Sequence, residues 1–243
     1  MKREILKGIR PFLNDYFFAP NANCLGCSTR LGAVMGFLCP DCYASLSPLY
    51  TTFESTKCIC HLCGREIAGL KCRCGSPLKK AIPAYSAYHF ELPVSTLVKA
   101  FKYRSVTKLS EWMADEMIKA LKGEKNFDAV TYVPMHFVRR IKRGYNQSQI
   151  LAKLISEKMN IPLKPMLRRK RFTRKQASLN RNKRRTNLIN AITIKDKDIK
   201  GMNILLIDDV RTTGTTIITC AKVLKENGAG KISALTLTSS KYM

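Results

Sequence analysis

The stretch ILLIDDVRTTGTTI, Ile204 to Ile217, decides how the rest of this chain is read. Four apolar residues open it, the length and character of a strand buried on both faces. Two acids follow, Asp208 and Asp209, and then a loop of small residues: Thr212, Thr213, Gly214, Thr215 and Thr216. Beyond the loop, Ile217, Ala221 and Leu224 recur at helical spacing. A strand, an acid pair, a hydroxyl-rich turn and a helix start form a cradle for a phosphorylated sugar. Backbone N–H groups at a loop and helix N-terminus bind phosphate, threonine hydroxyls add donors, and carboxylates accept from ribose hydroxyls. The plainer alternative is an acidic turn before a capped helix, with Thr213 or Thr215 as N-cap.

The run resembles the 5-phosphoribosyl-1-pyrophosphate (PRPP) motif of type I phosphoribosyltransferases: four apolar residues, two acids, three variable positions, then threonine, glycine and small residues. Carried over by position, the resemblance implies that Asp208 and Asp209 hold the ribose 2- and 3-hydroxyls. Thr212, Thr213, Gly214, Thr215 and Thr216 would then wrap the 5-phosphate, with Val210 and Arg211 between the two groups.

The chain has 243 residues and 45% hydrophobic content, enough for one ordinary domain and a small module. Its apolar runs fall short of a bilayer span. Lys2, Arg3 and Lys7 are not followed by a long apolar stretch and a small-residue cleavage site, so no signal peptide is expected. Forty-three basic residues against 17 acidic give a formal charge of +26, which points to a polyanion partner, nucleic acid before anionic membrane.

Nine of the ten cysteines fall between Cys24 and Cys74. Without a secretion signal they argue for a reducing compartment and for metal rather than disulfides. Cys24, Cys27, Cys39 and Cys42 form two C-x2-C hooks separated by eleven residues, the pattern of a structural four-thiolate Zn2+ site. A second set is less regular. Cys60 and Cys63 make a hook, but its partner is Cys72-x-Cys74, one residue short, and Cys58 is a spare thiol able to replace a ligand. His61 sits inside the hook and is expected to face solvent. One or two zinc ions would organise a segment too short and polar to fold alone.

Elsewhere, Ile5, Ile9, Phe12, Leu13, Tyr16 and Phe17 suggest a short amphipathic lead-in helix. Strands are expected over 81–90, 127–134, 203–207 and 232–237, helices on either side of Ser105, and a further helix over 146–159. This alternation argues for an α/β domain built on a parallel sheet. The division expected is a cysteine-rich, zinc-ribbon-like module over 1–78 and an α/β domain over 79–243.

Two basic segments complete the reading. VPMHFVRRIKRGYNQ, Val133 to Gln147, follows a strand and so sits at a carboxyl edge, where open α/β sheets bind ligands. Arg139, Arg140, Lys142 and Arg143 could face a pyrophosphate there, with Gly144 permitting close backbone approach; a basic loop feeding the next helix is the alternative. In 168–185, ten of eighteen residues are basic and none is acidic. Arg168, Arg169, Lys170, Arg171, Arg174, Lys175, Arg181, Lys183, Arg184 and Arg185 supply the charge, and Phe172 could stack on a base. The arm over 168–187 is expected to stay flexible until an anion binds; a merely solvated basic loop is the other possibility.

Together the cysteine hooks, the CHLCG hook at Cys60, the FKYR run at Phe101 to Arg104, VP-x-H with RGYNQ, the basic stretch and the PRPP motif resemble the ComF family. The resemblance covers nearly the whole chain and implies a phosphoribosyltransferase-like fold behind a zinc module. It also implies a part in natural competence, where incoming single-stranded DNA is handled in the bacterial cytoplasm beside other competence proteins. It further implies PRPP with Mg2+ on its pyrophosphate as ligand. One departure stands out. Transferases of this fold often carry a basic catalytic carboxylate three residues after the acid pair, and this neighbourhood holds Val210 and Arg211.

Overall fold

The computed structural model describes residues 23–31, 36–51, 56–63, 65–67, 71–77, 81–104, 107–169, 191–196 and 198–240. The expected lead-in helix and residues 170–187 of the basic arm lie outside them.

A five-stranded sheet carries the fold. Its strands are β1 (Thr56–Ile59), β2 (Ile82–His89), β3 (Ala129–Tyr132), β6 (Ile204–Arg211) and β7 (Ile232–Ser239), in the order β1-β2-β7-β6-β3. Four run parallel, and β1 pairs antiparallel with β2. Two short strands, β4 (Leu167–Arg169) and β5 (Ile192–Ile194), form a separate antiparallel pair.

The four-residue apolar run forms the centre of β6 because it is covered on both faces. Leu205 and Ile207 join one buried cluster, Ile204 and Leu206 the other. The alternation is the period of two of a strand, with a core on each side. The same division holds on β7, where Leu235 and Leu237 belong to the first cluster and Ile232 and Ala234 to the second.

Helices supply the two covers. The first comprises α2 (Val94–Arg104), α3 (Thr107–Ala120) and α5 (Gln147–Met159). On α3, Leu109, Met113 and Met117 recur at i, i+4, i+8 and are all fully buried, each worth about 1.5–3 kcal/mol of burial. The second cover is α6 (Thr215–Glu226), which buries Ile217, Cys220, Ala221 and Leu224. Two small helices remain: α1 (Pro40–Ala44), inside the first cysteine set, and α4 (Phe137–Arg143), which follows β3.

The cysteine segment is built into this frame at three places. Thr56–Ile59 is a member of the sheet. Phe37 packs edge-on to Trp112 of α3, ring centres 5.3 Å apart. The Tyr50 hydroxyl donates to Glu116 Oε2 at 2.7 Å, and the Tyr88 hydroxyl donates to the same oxygen. Glu116 is buried, and Lys119 Nζ closes on its other oxygen at 2.7 Å. A buried carboxylate is tolerated where donors satisfy both of its oxygens in this way.

Candidate phosphoribosyl site and cysteine clusters

β6 delivers Asp208 and Asp209 to the carboxyl end of the parallel sheet, beside the start of α6. Asp208 Oδ1 accepts from the Ser148 hydroxyl at 2.8 Å and from the Asp209 amide at 3.0 Å. Asp209 Oδ2 pairs with Lys102 Nζ at 2.7 Å. Burial pushes the Asp208 carboxyl up, and the adjacent Asp209 charge pushes it further. The Ser148 hydroxyl, the Asp209 amide and Lys102 oppose them, and the net pKa is about 7. Two like charges side by side in a poorly solvated place do not both ionise freely.

The loop after the pair turns at Gly214, whose φ of 66° is left-handed and suits glycine. Gly214 is also the N-cap of α6, in place of Thr213 or Thr215, and no side chain caps the helix. The first-turn amides are therefore presented to an incoming anion. Thr213 Oγ1 and Thr215 Oγ1 lie 2.9 Å apart at the mouth of this turn. Thr212 and Thr213 are exposed, and Thr215 and Thr216 partly so.

Two further motif residues face elsewhere. Val210 packs against the first hydrophobic cluster. The Arg211 side chain is only 1% exposed, and its Nη2 donates to Glu66 Oε1 at 2.9 Å.

The basic segment after β3 forms the short helix α4 rather than an open loop. His136 caps it by accepting from the Val138 amide at 3.2 Å, and Gly144, at φ 81°, ends it with its amide on Arg140 O. Gly144 thus serves as a left-handed helix stop. Arg140 is exposed, Arg143 Nη1 reaches Gln147 Oε1 at 3.5 Å, and the side chain of Arg139 lies outside the described residues. Phe137, Val138 and Ile141 are exposed on the same helix. From the basic arm, only Arg168 and Arg169 are described. They lie on β4, held there by pairing with β5 between buried Leu167 and Ile192.

The cysteines gather into two sets of four: Cys24, Cys27, Cys39 and Cys42, then Cys60, Cys63, Cys72 and Cys74. Within each set the sulfurs lie within 4.8 Å of one another. Four thiolates about 2.3 Å from a tetrahedral Zn2+ stand about 3.8 Å apart. Cys27–Cys39 at 3.7 Å, Cys60–Cys74 at 3.5 Å and Cys63–Cys72 at 3.4 Å are close to that spacing. Backbone amides also turn onto the sulfurs, Gly26 and Cys39 onto Cys24 at 3.3 and 3.2 Å, and Leu62 onto Cys60 at 3.4 Å.

The thiols respond in opposite directions. The Thr29 hydroxyl and backbone draw Cys27 down to about 6. Burial raises Cys60, but the amides of Cys63 and Leu62 outweigh it and bring that thiol to about 6 as well. Burial and neighbouring sulfurs drive Cys63 up to about 12 and Cys42 higher still. Such sets share protons when bare, and a divalent cation converts all four members to thiolates. Both sets can hold Zn2+, the irregular second one included. Cys58 stands apart on β1, and His61 Nδ1 bonds Ser76 Oγ at 3.0 Å.

Gly26 explains itself here. A Cβ at that position would lie 2.7 Å from Cys42 Sγ and 3.0 Å from Pro93 Cβ. Only glycine lets the first hook close against the start of α2.

Three residues of the arrangement carry no motif of their own: Lys102, Ser148 and Glu66. Lys102 lies within the FKYR run, and that run is the one local signal that could have marked it. A cavity of about 690 Å³ also opens along α6 beside the second hook, between Leu62, Ile82, Pro83 and Ile218. Of the motif residues only Thr215 borders it, so the carboxylate pair faces a different space.

The phosphoribosyl transferase domain matches residues 105–241, more than half of the sequence, and the chain belongs to that family. The ComF resemblance holds as well. Competence protein F of Haemophilus influenzae is 28% identical over 225 residues, spanning 87% of this chain and 94% of that protein. Competence protein ComFC of Bacillus subtilis is 25% identical over 223 residues, spanning 89% and 84%. The DNA utilization protein YhgH of Escherichia coli K12 is 29% identical over 189 residues, spanning 74% and 83%. No described helix is long and apolar enough to cross a membrane.

Proposed function

We propose that this chain binds PRPP at the end of β6 and serves in competence, handling incoming single-stranded DNA in the cytoplasm. The observation that carries the first half is the acid pair beside a helix start without a side-chain cap. Asp208 and Asp209 receive the ribose hydroxyls, while Thr212–Thr216 and the first amides of α6 receive the 5-phosphate. Mg2+ enters on the pyrophosphate, and Arg139 and Arg143 beside Gly144 lie on the basic segment that would face it. Zinc at the two cysteine sets supplies structure, because four thiolates leave no open position for catalysis.

Charge supports the second half. A balance of +26 attracts a polyanion, and α4 exposes Phe137 and Ile141 next to Arg140. A cation beside an exposed aromatic ring suits an unpaired strand. The relatives named for competence and DNA utilization point the same way.

Phosphoribosyl transfer to an amine or nucleobase is the second reading. The intact acid pair favours it, and an Asp208 carboxyl near 7 lies where a proton acceptor is useful at neutral pH. Against it, the position three after the acid pair is not a carboxylate.

Calorimetric titration with PRPP and Mg2+ tests the site. Saturable binding is expected in the zinc-loaded protein, lost in Asp208→Asn and Asp209→Asn. Single-stranded oligonucleotide affinity is expected to fall at least about tenfold between 50 and 200 mM salt, as several phosphate contacts require. Absence of PRPP binding, or salt-independent DNA binding, removes the corresponding half. Pyrophosphate release across an acceptor panel decides between binding and transfer.

A further inference from the structure

We propose that Glu66 is a positioning residue that couples the second cysteine set to the phosphate loop through the buried Arg211. Metal held by Cys60, Cys63, Cys72 and Cys74 would then set the loop's affinity for its phosphoribosyl ligand. The inference rests on the PRPP reading above and adds a control to it.

The connection can be followed bond by bond. Glu66 lies between the two halves of the second hook, and its backbone bridges Ile59. On either side of it, the Cys60 amide donates to Arg65 O and the Ile67 amide to Cys58 O, both at 2.8 Å. Glu66 is therefore fixed by the ladder that carries the hook. Its Oε1 accepts from Arg211 Nη2 at 2.9 Å, and Lys57 Nζ stands 3.9 Å from its other oxygen. Arg211 closes β6, two residues beyond Asp209 and one before Thr212. Its carbonyl is held by the Ser240 amide at 3.0 Å.

Burial makes this contact consequential. Arg211 is among the largest fully buried side chains, and its Nε and Nη1 have no hydrogen-bond partner among the described residues. Among the described residues, Glu66 is the carboxylate that stands within ion-pair distance of it. A buried guanidinium is tolerated only while its counter-charge stays in place. If the hook opens and Glu66 shifts, the guanidinium must follow or be left uncompensated. The first response moves the residue joined directly to Thr212, and the second leaves an unpaired buried charge at that residue. The hook stays closed when its four sulfurs, drawn to within 4.8 Å, share a cation.

Coupling of this kind is reciprocal. Zinc at the second set should tighten PRPP binding, and PRPP should raise the affinity of that set for zinc by the same factor.

The test uses the full chain with both sets loaded, with Glu66→Gln, Cys74→Ser and the double variant beside it. Two readouts are taken: amide hydrogen exchange over 212–215 and calorimetric PRPP affinity with Mg2+. Glu66→Gln leaves every cysteine intact and should retain two zinc equivalents. It should nevertheless speed loop exchange and weaken PRPP about tenfold, within the usual range of such couplings. Cys74→Ser should lose one zinc and reproduce both changes, and the double variant should be no worse than Cys74→Ser. Unchanged loop exchange in Glu66→Gln overturns the proposal, as do effects of the two variants that multiply. If the loaded wild-type chain fails to bind PRPP, the functional reading falls, while the exchange readout still decides the coupling.

Discussion

Replacing Asp208 with asparagine should stabilise this protein at alkaline pH while destroying its ligand site. Asparagine reproduces the protonated aspartate: its Oδ1 can still accept from the Ser148 hydroxyl and the Asp209 amide, and it carries no charge. In the native chain the Asp208 carboxyl titrates near 7, against an ordinary value of 3.8. Between those two values the folded state holds one proton more than the unfolded state. The stability of the native chain therefore falls as pH rises from about 4 through about 7, and is flat above. The slope is about 1.4 kcal/mol per pH unit. From pH 5 to pH 7 that amounts to about 2.7 kcal/mol, a ceiling that the residue's partial exposure reduces to about 1–2 kcal/mol. The assay is urea unfolding of both proteins at pH 5 and pH 8 with zinc held constant. Thiol titration and distant carboxylates act on both proteins alike, so the difference between them isolates Asp208 together with its coupling to Asp209. The expected result is a stability gap in favour of Asp208→Asn that widens by about 1–2 kcal/mol from pH 5 to pH 8, together with loss of PRPP binding. A gap that stays constant or narrows refutes the argument that burial and Asp209 hold this carboxyl high.

Gly26→Ala should lose one zinc equivalent and fall in melting temperature, because its methyl would press on Cys42 Sγ; full zinc content by atomic absorption would contradict that packing. Glu116→Ala leaves Tyr50, Tyr88 and Lys119 without their shared acceptor. Its cost should be about 3 kcal/mol, read by urea unfolding, and a cost under about 1 kcal/mol would show that the cysteine segment does not lean on this network.

How far the residues announced this structure depends on the range of the signal. β6, β7, α5 and the acid pair were legible because each has a dense local pattern: apolar runs, helical spacing, and a loop of small residues. The expected strand 203–207 ends earlier than β6 does, since the pairing of Asp208 to Arg211 with Thr236 to Ser239 extends it. Nothing in the local chemistry of two acids and an arginine signals that extension. The strand Thr56–Ile59 was hidden for a similar reason, lying among cysteines and declared only by its partner β2. At the site, the motif gave the acids and threonines. Lys102 and Ser148 reach Asp209 and Asp208 from separate helices, a juxtaposition that spacing along one chain does not encode. Arg211 read as a motif position, and its burial against Glu66 depends on the hook folding onto the sheet.

The antiparallel strand β1 has a consequence for how this protein stays dispersed in a cell. β2 is flanked by β7 on one side and by β1 on the other. A shortened chain beginning at residue 79 would keep the PRPP motif but bare the side of β2 that β1 covers, the backbone groups of Ile82 to Tyr85. Such an edge recruits strands from neighbouring molecules. β1 is itself a safer border, four residues long and carrying Lys57. The cysteine-rich segment therefore acts as a guard against self-association. Removal of metal from the second cysteine set is expected to show first as a loss of solubility.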